Sequence, residues 1–455
     1  HGIMNPGKIV DAPPMHTHLR YGEGYRTLPV KTYFDFRADG GMAGHVELCS
    51  GVGACRKLAG GMMCPSYRAT REEAHSTRGR ANMLRAAMSG LIGMEGLADP
   101  RVYDVLDLCL ECKACKAECE ANVDMARLKA EFLAHYYDKH GLPLSARLFG
   151  NIALLNRLGC ALAPLSNWAL ELPLNRLLLE KIAGIDRRRP LPRFARPAFP
   201  QWFARHERTV QPDGRPAVVL LDDTFMKYNE PQIGIAAVRL LEAFGYRVVR
   251  AGLSCCGRPM ISKGMLRQAR RLAEQNVRRL LPLVEQGLPV LGCEPSCVSA
   301  LTGDYPDLLA TAEARRVAEQ TFLLEHWLMR QQSHPAQPSF TSLPRQVLLH
   351  GHCHQKALFG TGPTLALLRL LPAAEVSEIP SGCCGMAGSF GYERVHYELS
   401  RTIGELSVLF AARQAPADAV LVAPGTSCRH QIAHFAGRQV RHPVELVASA
   451  LVDTP

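Results

Sequence analysis

Sixteen cysteines in 455 residues carry the legible chemistry of this chain, because they are bunched rather than spread. The tightest bunch is Cys109-Leu-Glu-Cys112-Lys-Ala-Cys115-Lys-Ala-Glu-Cys119. A C-x2-C-x2-C-x3-C run sets three thiolates around one [4Fe–4S] cube, and in two-cluster proteins its fourth cysteine serves the other cluster. Glu120 stands where such runs usually carry proline. Zinc is the competing reading, although zinc knots use two separated cysteine pairs. Upstream lie Cys49, Cys55 and Cys64-Pro65, with Val52 where a middle cysteine of a second run belongs. Crossing over, Cys64 completes the set of Cys109, Cys112 and Cys115, which leaves Cys49, Cys55 and Cys119 as a site of three thiolates. Such a site carries a [3Fe–4S] cluster, takes another side chain as fourth ligand, or stays empty; buried structural thiols are the plain alternative. Arg78-Gly79-Arg80 reads equally as a source of donors to sulfur and as a solvated helix start.

A second set repeats. Cys255-Cys256-Gly257 recurs as Cys383-Cys384-Gly385, a step of 128 residues, and Cys297 recurs as Cys428, a step of 131. Superposed, the copies imply a five-cysteine pattern from which each lacks one member. Copy one has Phe225 where copy two has Cys353; copy two has Pro424 where copy one has Cys293. Copy one is expected to offer Cys255, Cys256, Cys293 and Cys297, and copy two Cys353, Cys383, Cys384 and Cys428. Four soft ligands suit an iron–sulfur cluster or zinc. Adjacent cysteines are awkward on one ordinary cube, and a vicinal disulfide or a metal-free relic are the competing readings. His352, His354, His430 and the loop from Gly385 to Gly391 could tune copy two through hydrogen bonds, or be ordinary structural groups. Cys160, in an apolar stretch, reads as core.

The elements that must hold these thiols follow from periodicity. From about 45 to 140 the pattern is helical, and from 141 to 183 it is Leu-rich and broken at Pro164 and Pro173. In copy one, strands at Ala217 to Leu221, Val248-Val249 and Pro289 to Leu291 alternate with helices at Pro231 to Gly245 and about 264–286. In copy two, strands at Val347 to Leu349, Val376 to Ile379 and Ala419 to Val422 alternate with helices near 363–371 and over 391–413. The spacing predicts an α/β protein with two repeated βαβ-type units on small parallel sheets, the cysteines at the carboxyl ends of the strands.

Composition excludes several classes. At 47% hydrophobic and 21% charged the chain is no disordered tail. No apolar stretch reaches the roughly 20 residues of a membrane span. The net charge of +11 comes from scattered arginines with one run, Arg187-Arg188-Arg189, which argues against nucleic acid and leaves a mildly basic face toward anionic lipid or an acidic partner. Clustered cysteines in a chain of this size point to a reducing compartment, the cytoplasm.

The paired Cys-Cys-Gly repeats resemble those of heterodisulfide reductase, glycolate oxidase and anaerobic glycerol-3-phosphate dehydrogenase iron–sulfur subunits. His1 to Lys8 resembles the end of a vanillyl-alcohol-oxidase-type FAD-linked oxidase domain. The order of this tail, Cys49 to Cys64-Pro65-Ser66-Tyr67-Arg68-Ala69-Thr70, the Cys109 run and two repeats is similar to the C-terminal iron–sulfur region of fused FAD-linked D-2-hydroxyacid dehydrogenases of the D-2-hydroxyglutarate and D-lactate types. The resemblance implies a division into an oxidase-domain tail (1–34), an α-helical ferredoxin-like domain (35–140), a helical segment with a Pro/Arg-rich linker (141–215), and two cysteine-rich CCG units (216–335 and 336–455). It implies [4Fe–4S] clusters, one three-cysteine cluster and a CCG-bound cluster. It further implies Asn5 and Lys8 near a flavin bound mainly by an upstream FAD-binding domain, the chain here being the back part of something longer. In the family a D-2-hydroxy acid gives hydride to FAD, and electrons then pass singly to a quinone, a cytochrome or an electron-transfer flavoprotein. Full five-cysteine repeats hold non-cubane clusters there, and Phe225 and Pro424 depart from that pattern. The expected role is electron conduit, cytoplasmic or peripheral to the inner face of the membrane; the alternatives are a thiol–disulfide redox module and a zinc-stabilised interaction module.

Overall fold

The computed structural model describes residues 24–452 apart from 94, 210–213 and 344, together with 7, 11–14, 17 and 22. Asn5 and Lys8 lie outside the described residues. The fold is α/β with two four-stranded parallel sheets. The first sheet is ordered β2-β1-β3-β4, from β1 (Ala217–Leu221), β2 (Arg247–Arg250), β3 (Val290–Gly292) and β4 (Thr321–Leu323). The second repeats that topology as β6-β5-β7-β8, from β5 (Gln346–Leu349), β6 (Glu375–Glu378), β7 (Val420–Val422) and β8 (Val440–Arg441).

Strand β1 is apolar throughout because both its faces are covered. Successive side chains of a strand point to opposite faces, and here Val219 and Leu221 enter one core while Val218 and Leu220 enter another. The edge strands β4 and β8 were not among the expected strands; at three and two residues they are too short to leave a periodic signal. The expected helix over 391–413 is instead two, Tyr397–Glu405 and Val408–Gln414. The break at Leu406-Ser407 lets Val408 and Leu409 turn into the core beside Cys384, where both are fully buried.

The helical part, 37–140, is carried by Thr77–Met88 and Met125–His140. Ser76 caps the first of these, accepting from Gly79 N at 2.9 Å, and Asp124 caps the second, accepting from Arg127 N at 3.1 Å. Glu131, fully buried, accepts from the amides of Tyr33 and Phe34 and so ties the incoming segment to the core. Downstream, the Pro-rich stretch is no free tether. Arg189 is buried, donating to Gly391 O and Ser400 Oγ, and the helix Phe199–Thr209 seats Phe199 and Phe203 in the core beneath β1.

Candidate iron–sulfur centres

The Cys109 run is bent by two residues in the left-handed region, Glu111 (φ 51°) and Lys113 (φ 59°), one on each side of Cys112. Those turns bring Cys109, Cys112 and Cys115 together, and Cys64 joins them from the start of the helix Pro65–Thr70. The charges of these thiols feel one another: Cys109 with Cys64, Cys112 with Cys115 and Cys64, Cys115 with Cys109 and Cys64. Arg80 is 1% exposed, and its guanidinium donates to Cys64 Sγ (3.4 Å), Ser66 Oγ (2.9 Å) and Val105 O (3.1 Å). Burial pushes the Cys64 thiol up, but Arg80 and Ser66 outweigh it and hold the thiol below its ordinary range. Burial pushes Cys109, Cys112 and Cys115 up.

Cys49, Cys55 and Cys119 line one small cavity of about 20 Å³ together with Val52 and Arg78. Val52 is 65% exposed at the mouth. The Arg78 amide donates to Cys55 Sγ at 3.4 Å. Gly53 (φ 82°) lets the loop fold over, since a Cβ there would meet Arg78 Nη1 at 2.9 Å. The Arg78-Gly79-Arg80 start thus sends one donor to each cysteine group.

In copy two, Cys353, Cys383, Cys384 and Cys428 converge. Cys384 and Cys428 lie with His350 in a buried trio whose ligand atoms are all within 4.8 Å of one another. Hydrogen bonds from Cys383 and Cys428, joined by His350, hold the Cys384 thiol well below its ordinary range; a hydrogen bond from Cys383 brings Cys353 to about 7. One thiolate shared among neighbouring donors is the arrangement that a soft metal stabilises further. His350 was not among the residues singled out from sequence; its place at the end of β5, three residues before Cys353, was the available signal. His352 caps the helix Cys353–Leu358, His354 bridges Ser299 Oγ (2.8 Å) and Glu111 O (2.9 Å), and His430 pairs with the Tyr392 hydroxyl (3.3 Å).

Copy one is different. Cys256 and Cys297 sulfurs are 3.0 Å apart, with Cys255 beside them. Cys293 does not join them. It follows β3 on the face of Leu291, inside the core of Val218 and Leu220, whereas Cys255, Cys256 and Cys297 belong to the core on the opposite face. The period of two along an extended chain is the reason. Copy one therefore offers three converging thiols, with Phe225 at the vacant lead position. Cys160 is core, its thiol donating to Ala195 O at 2.8 Å.

The groups are not isolated from one another. Cys112 packs against the small core that holds Cys353 and Cys383, and the short helix Ala114–Glu118 packs on the helix Cys353–Leu358. A cavity of about 220 Å³ lies where all three parts meet, reached by Cys109, by Cys256 and Cys297, and by Cys353 and Cys383. A buried ion network closes this junction: Lys113 Nζ to Asp304 (2.6 Å), Arg258 to Asp304 (3.1 Å) and Arg258 to Glu111 (2.8 Å).

The donor set fits iron–sulfur chemistry. Every cysteine is free. Arg80 is a buried cation whose partners, among the described residues, include no carboxylate, and thiolate sulfur supplies the anion it lacks. Fold and sites together define an iron–sulfur oxidoreductase with one ferredoxin-type run and two cysteine-rich repeats. Comparison with known proteins agrees: a 4Fe-4S dicluster domain matches residues 45–123, and a cysteine-rich domain matches residues 224–302. One of the subunits of anaerobic glycerol-3-phosphate dehydrogenase from Escherichia coli (strain K12) is 30% identical over 317 residues, 69% of this chain and 79% of the relative. D-2-hydroxyglutarate dehydrogenase of the same organism is 28% identical over 497 residues, 98% of this chain but 47% of the relative. Lactate utilization protein A of Geobacillus kaustophilus is 29% identical over 182 residues, 38% of this chain and 72% of the relative. The chain belongs to the same iron–sulfur oxidoreductase family as that glycerol-3-phosphate dehydrogenase polypeptide, a family related to FAD-linked oxidases. It spans about half the length of the D-2-hydroxyglutarate dehydrogenases it matches.

Proposed function

We propose that this chain is the electron-transfer region of an FAD-dependent D-2-hydroxyacid dehydrogenase acting on D-2-hydroxyglutarate or D-lactate. Flavin electrons from an upstream domain, with Asn5 and Lys8 near that flavin, would enter here and leave to a quinone, a cytochrome or an electron-transfer flavoprotein. The chain works in the cytoplasm or on the inner face of the membrane. The observation that carries the reading is the packing of Cys112 against the small core that holds Cys353 and Cys383, which makes the thiol groups of the Cys109 run and of copy two neighbours rather than separate sites. Similarity to D-2-hydroxyglutarate dehydrogenases over 98% of the chain supports the donor.

Iron–sulfur clusters held by these thiols supply one-electron uptake and release. Cys64, Cys109, Cys112 and Cys115 would hold one, Cys49, Cys55 and Cys119 a second, and Cys353, Cys383, Cys384 and Cys428, with His350 beside them, a third. Burial of Cys64, Cys109 and Cys115 keeps water from the sulfur, and Arg80 offsets negative charge there. Copy one contributes Cys255, Cys256 and Cys297 to the central cavity. A second reading, thiol–disulfide exchange, draws on the 3.0 Å contact of Cys256 and Cys297; joining those sulfurs would give up two electrons and two protons to a substrate disulfide, which leaves as two thiols.

Anaerobic purification with iron and sulfide analysis tests the reading. The expected result is a brown protein with several iron atoms per chain and a broad absorption near ~400 nm. Cys112→Ser is expected to lose one cluster's worth of iron. A colourless chain holding only zinc, or a Cys112→Ser variant with unchanged iron and an unchanged paramagnetic spectrum, overturns it.

A further inference from the structure

The two cysteine-rich copies share a topology but not a donor set. In each, one residue follows directly on the first strand of its sheet: Asp222 after β1 and His350 after β5, a step of 128 residues. The Asp222 carboxylate is committed, accepting from Arg250 Nη1 (3.0 Å) and the Gly252 amide (2.8 Å). His350 instead faces sulfur. Its ligating ring nitrogen and the sulfurs of Cys384 and Cys428 all lie within 4.8 Å of one another, and all three residues are buried. Cys384 comes after β6 and Cys428 after β7, the two strands that flank β5. Three donors thus gather beyond the carboxyl ends of three adjacent parallel strands, the edge where such sheets bind ligands.

Hydrogen bonding decides which ring nitrogen is offered. His350 Nδ1 lies 2.7 Å from Ser381 Oγ. The Ser381 hydroxyl donates to Ile379 O (3.2 Å), and its oxygen accepts from Lys356 Nζ (3.3 Å). A hydroxyl has one proton and two lone pairs. Nδ1 must therefore donate to Ser381, which leaves the lone pair of the neutral ring on Nε2. A ligating imidazole has the same disposition, one nitrogen donating to a fixed oxygen and the other turned to the metal. The neighbouring histidines are committed elsewhere. His352 accepts from the His354 amide at Nδ1 (3.1 Å) and meets Ser296 Oγ with Nε2 (3.4 Å), while His354 holds Ser299 Oγ and Glu111 O with its two nitrogens. Charge favours nitrogen as well. Cys353, Cys383, Cys384 and Cys428 already place four thiols in a buried volume, and Pro424 stands where the repeat pattern has a fifth. A neutral donor takes that place without adding another buried negative charge.

We infer that His350, through Nε2, is a direct ligand of the metal centre held by Cys353, Cys383, Cys384 and Cys428, in place of the thiolate that Pro424 lacks. The assignment rests on the iron–sulfur reading above and narrows it to mixed sulfur and nitrogen coordination in copy two. Without metal, Nε2 and the Cys384 sulfur share one proton, which an incoming metal displaces. Imidazole in place of thiolate raises the reduction potential of an iron–sulfur centre. Copy two would then be more easily reduced than the all-thiolate set of Cys64, Cys109, Cys112 and Cys115.

The test is pulsed paramagnetic resonance through a reductive titration of the natural polypeptide carrying this chain, purified anaerobically from cells fed ordinary or heavy-nitrogen histidine. One centre of the wild type is expected to show a strong nitrogen coupling that changes with the isotope. His350→Gln is expected to lose that coupling. His350→Cys is expected to lose it too, to keep the iron content, and to shift the potential of that centre downward. A wild type in which no centre couples to histidine nitrogen sinks the assignment, and that measurement needs no variant to fold. At full iron content such a result leaves electron transfer standing, whereas an iron-free chain sinks both readings. A coupling that survives in His350→Gln or His350→Cys belongs to another residue and overturns the assignment as well.

Discussion

Cys293 and Cys297 are four residues apart and chemically alike, yet the structure assigns them opposite faces of the first sheet. Cys293→Ser is therefore expected to keep the full iron content, while Cys297→Ser reduces whatever copy one holds; iron analysis of the two purified variants decides. Glu325 is a second residue whose surroundings set its chemistry. It is fully buried, it accepts from Thr364 (2.9 Å) and Gln355 (3.3 Å), and its Oε2 has no hydrogen-bond partner among the described residues. Burial pushes its carboxyl up to about 7. An unfolded glutamate titrates near ~4.3, so the native state binds the extra proton between those values and loses stability as pH rises through them. Glu325→Gln is expected to flatten that decline, a difference on the order of 2–3 kcal/mol at pH 8, read from urea unfolding of both proteins at pH 5 and pH 8.

At the scale of elements, the junction between the Cys109 loop and copy one rests on Lys113, Arg258, Asp304 and Glu111, all of them buried. Asp304 is the shared anion, 2.6 Å from Lys113 and 3.1 Å from Arg258. Removing one partner of a buried network strands the others, at a cost of about 3–5 kcal/mol. Asp304→Ala is expected to lower thermal stability by that amount and to loosen the Cys109 loop, seen as faster amide exchange over 109–119 by mass spectrometry. Protection equal to wild type across those residues would show that the loop stands without its anchor. On the copy-two side His396 bridges Asp107 (2.7 Å) and Glu393 (2.9 Å), and Lys263 pairs with Glu393. Those carboxylates outweigh burial and raise the imidazole above its usual range. Its stabilising charge is present below ~6.5 and fades as pH climbs through the raised value, so the stability gap between wild type and His396→Gln is expected to narrow in alkaline buffer.

Across the whole molecule, the cores are shared rather than stacked. One joins the helical part to the first sheet, another joins the first sheet to the second, and Leu110 and Cys112 meet Cys353 and Cys383 in a third. Metal ligands at these seams couple binding to folding. Iron removal by an anaerobic chelator is expected to lower the melting temperature of the chain as one transition. Two separate transitions, with one sheet melting at its original temperature, would show that the parts fold independently.

Much was determined by the sequence alone. Thiolate chemistry depends on spacing, so the Cys109 run and the Cys-Cys-Gly repeats marked iron–sulfur centres before any fold was known, and alternation of strands with helices marked two parallel sheets. Cys49, Cys55 and Cys119 line one cavity. Other features needed the tertiary structure. Which face Cys293 takes, the entry of His350 into the copy-two group, and the packing of Cys112 against the core that holds Cys353 and Cys383 are set by strand pleat and by packing between distant segments. The exposure of Leu154, Leu158 and Leu162 belongs there too: a Leu-rich helix reads the same from its sequence whether it faces a core or solvent, and only the packed neighbours decide which.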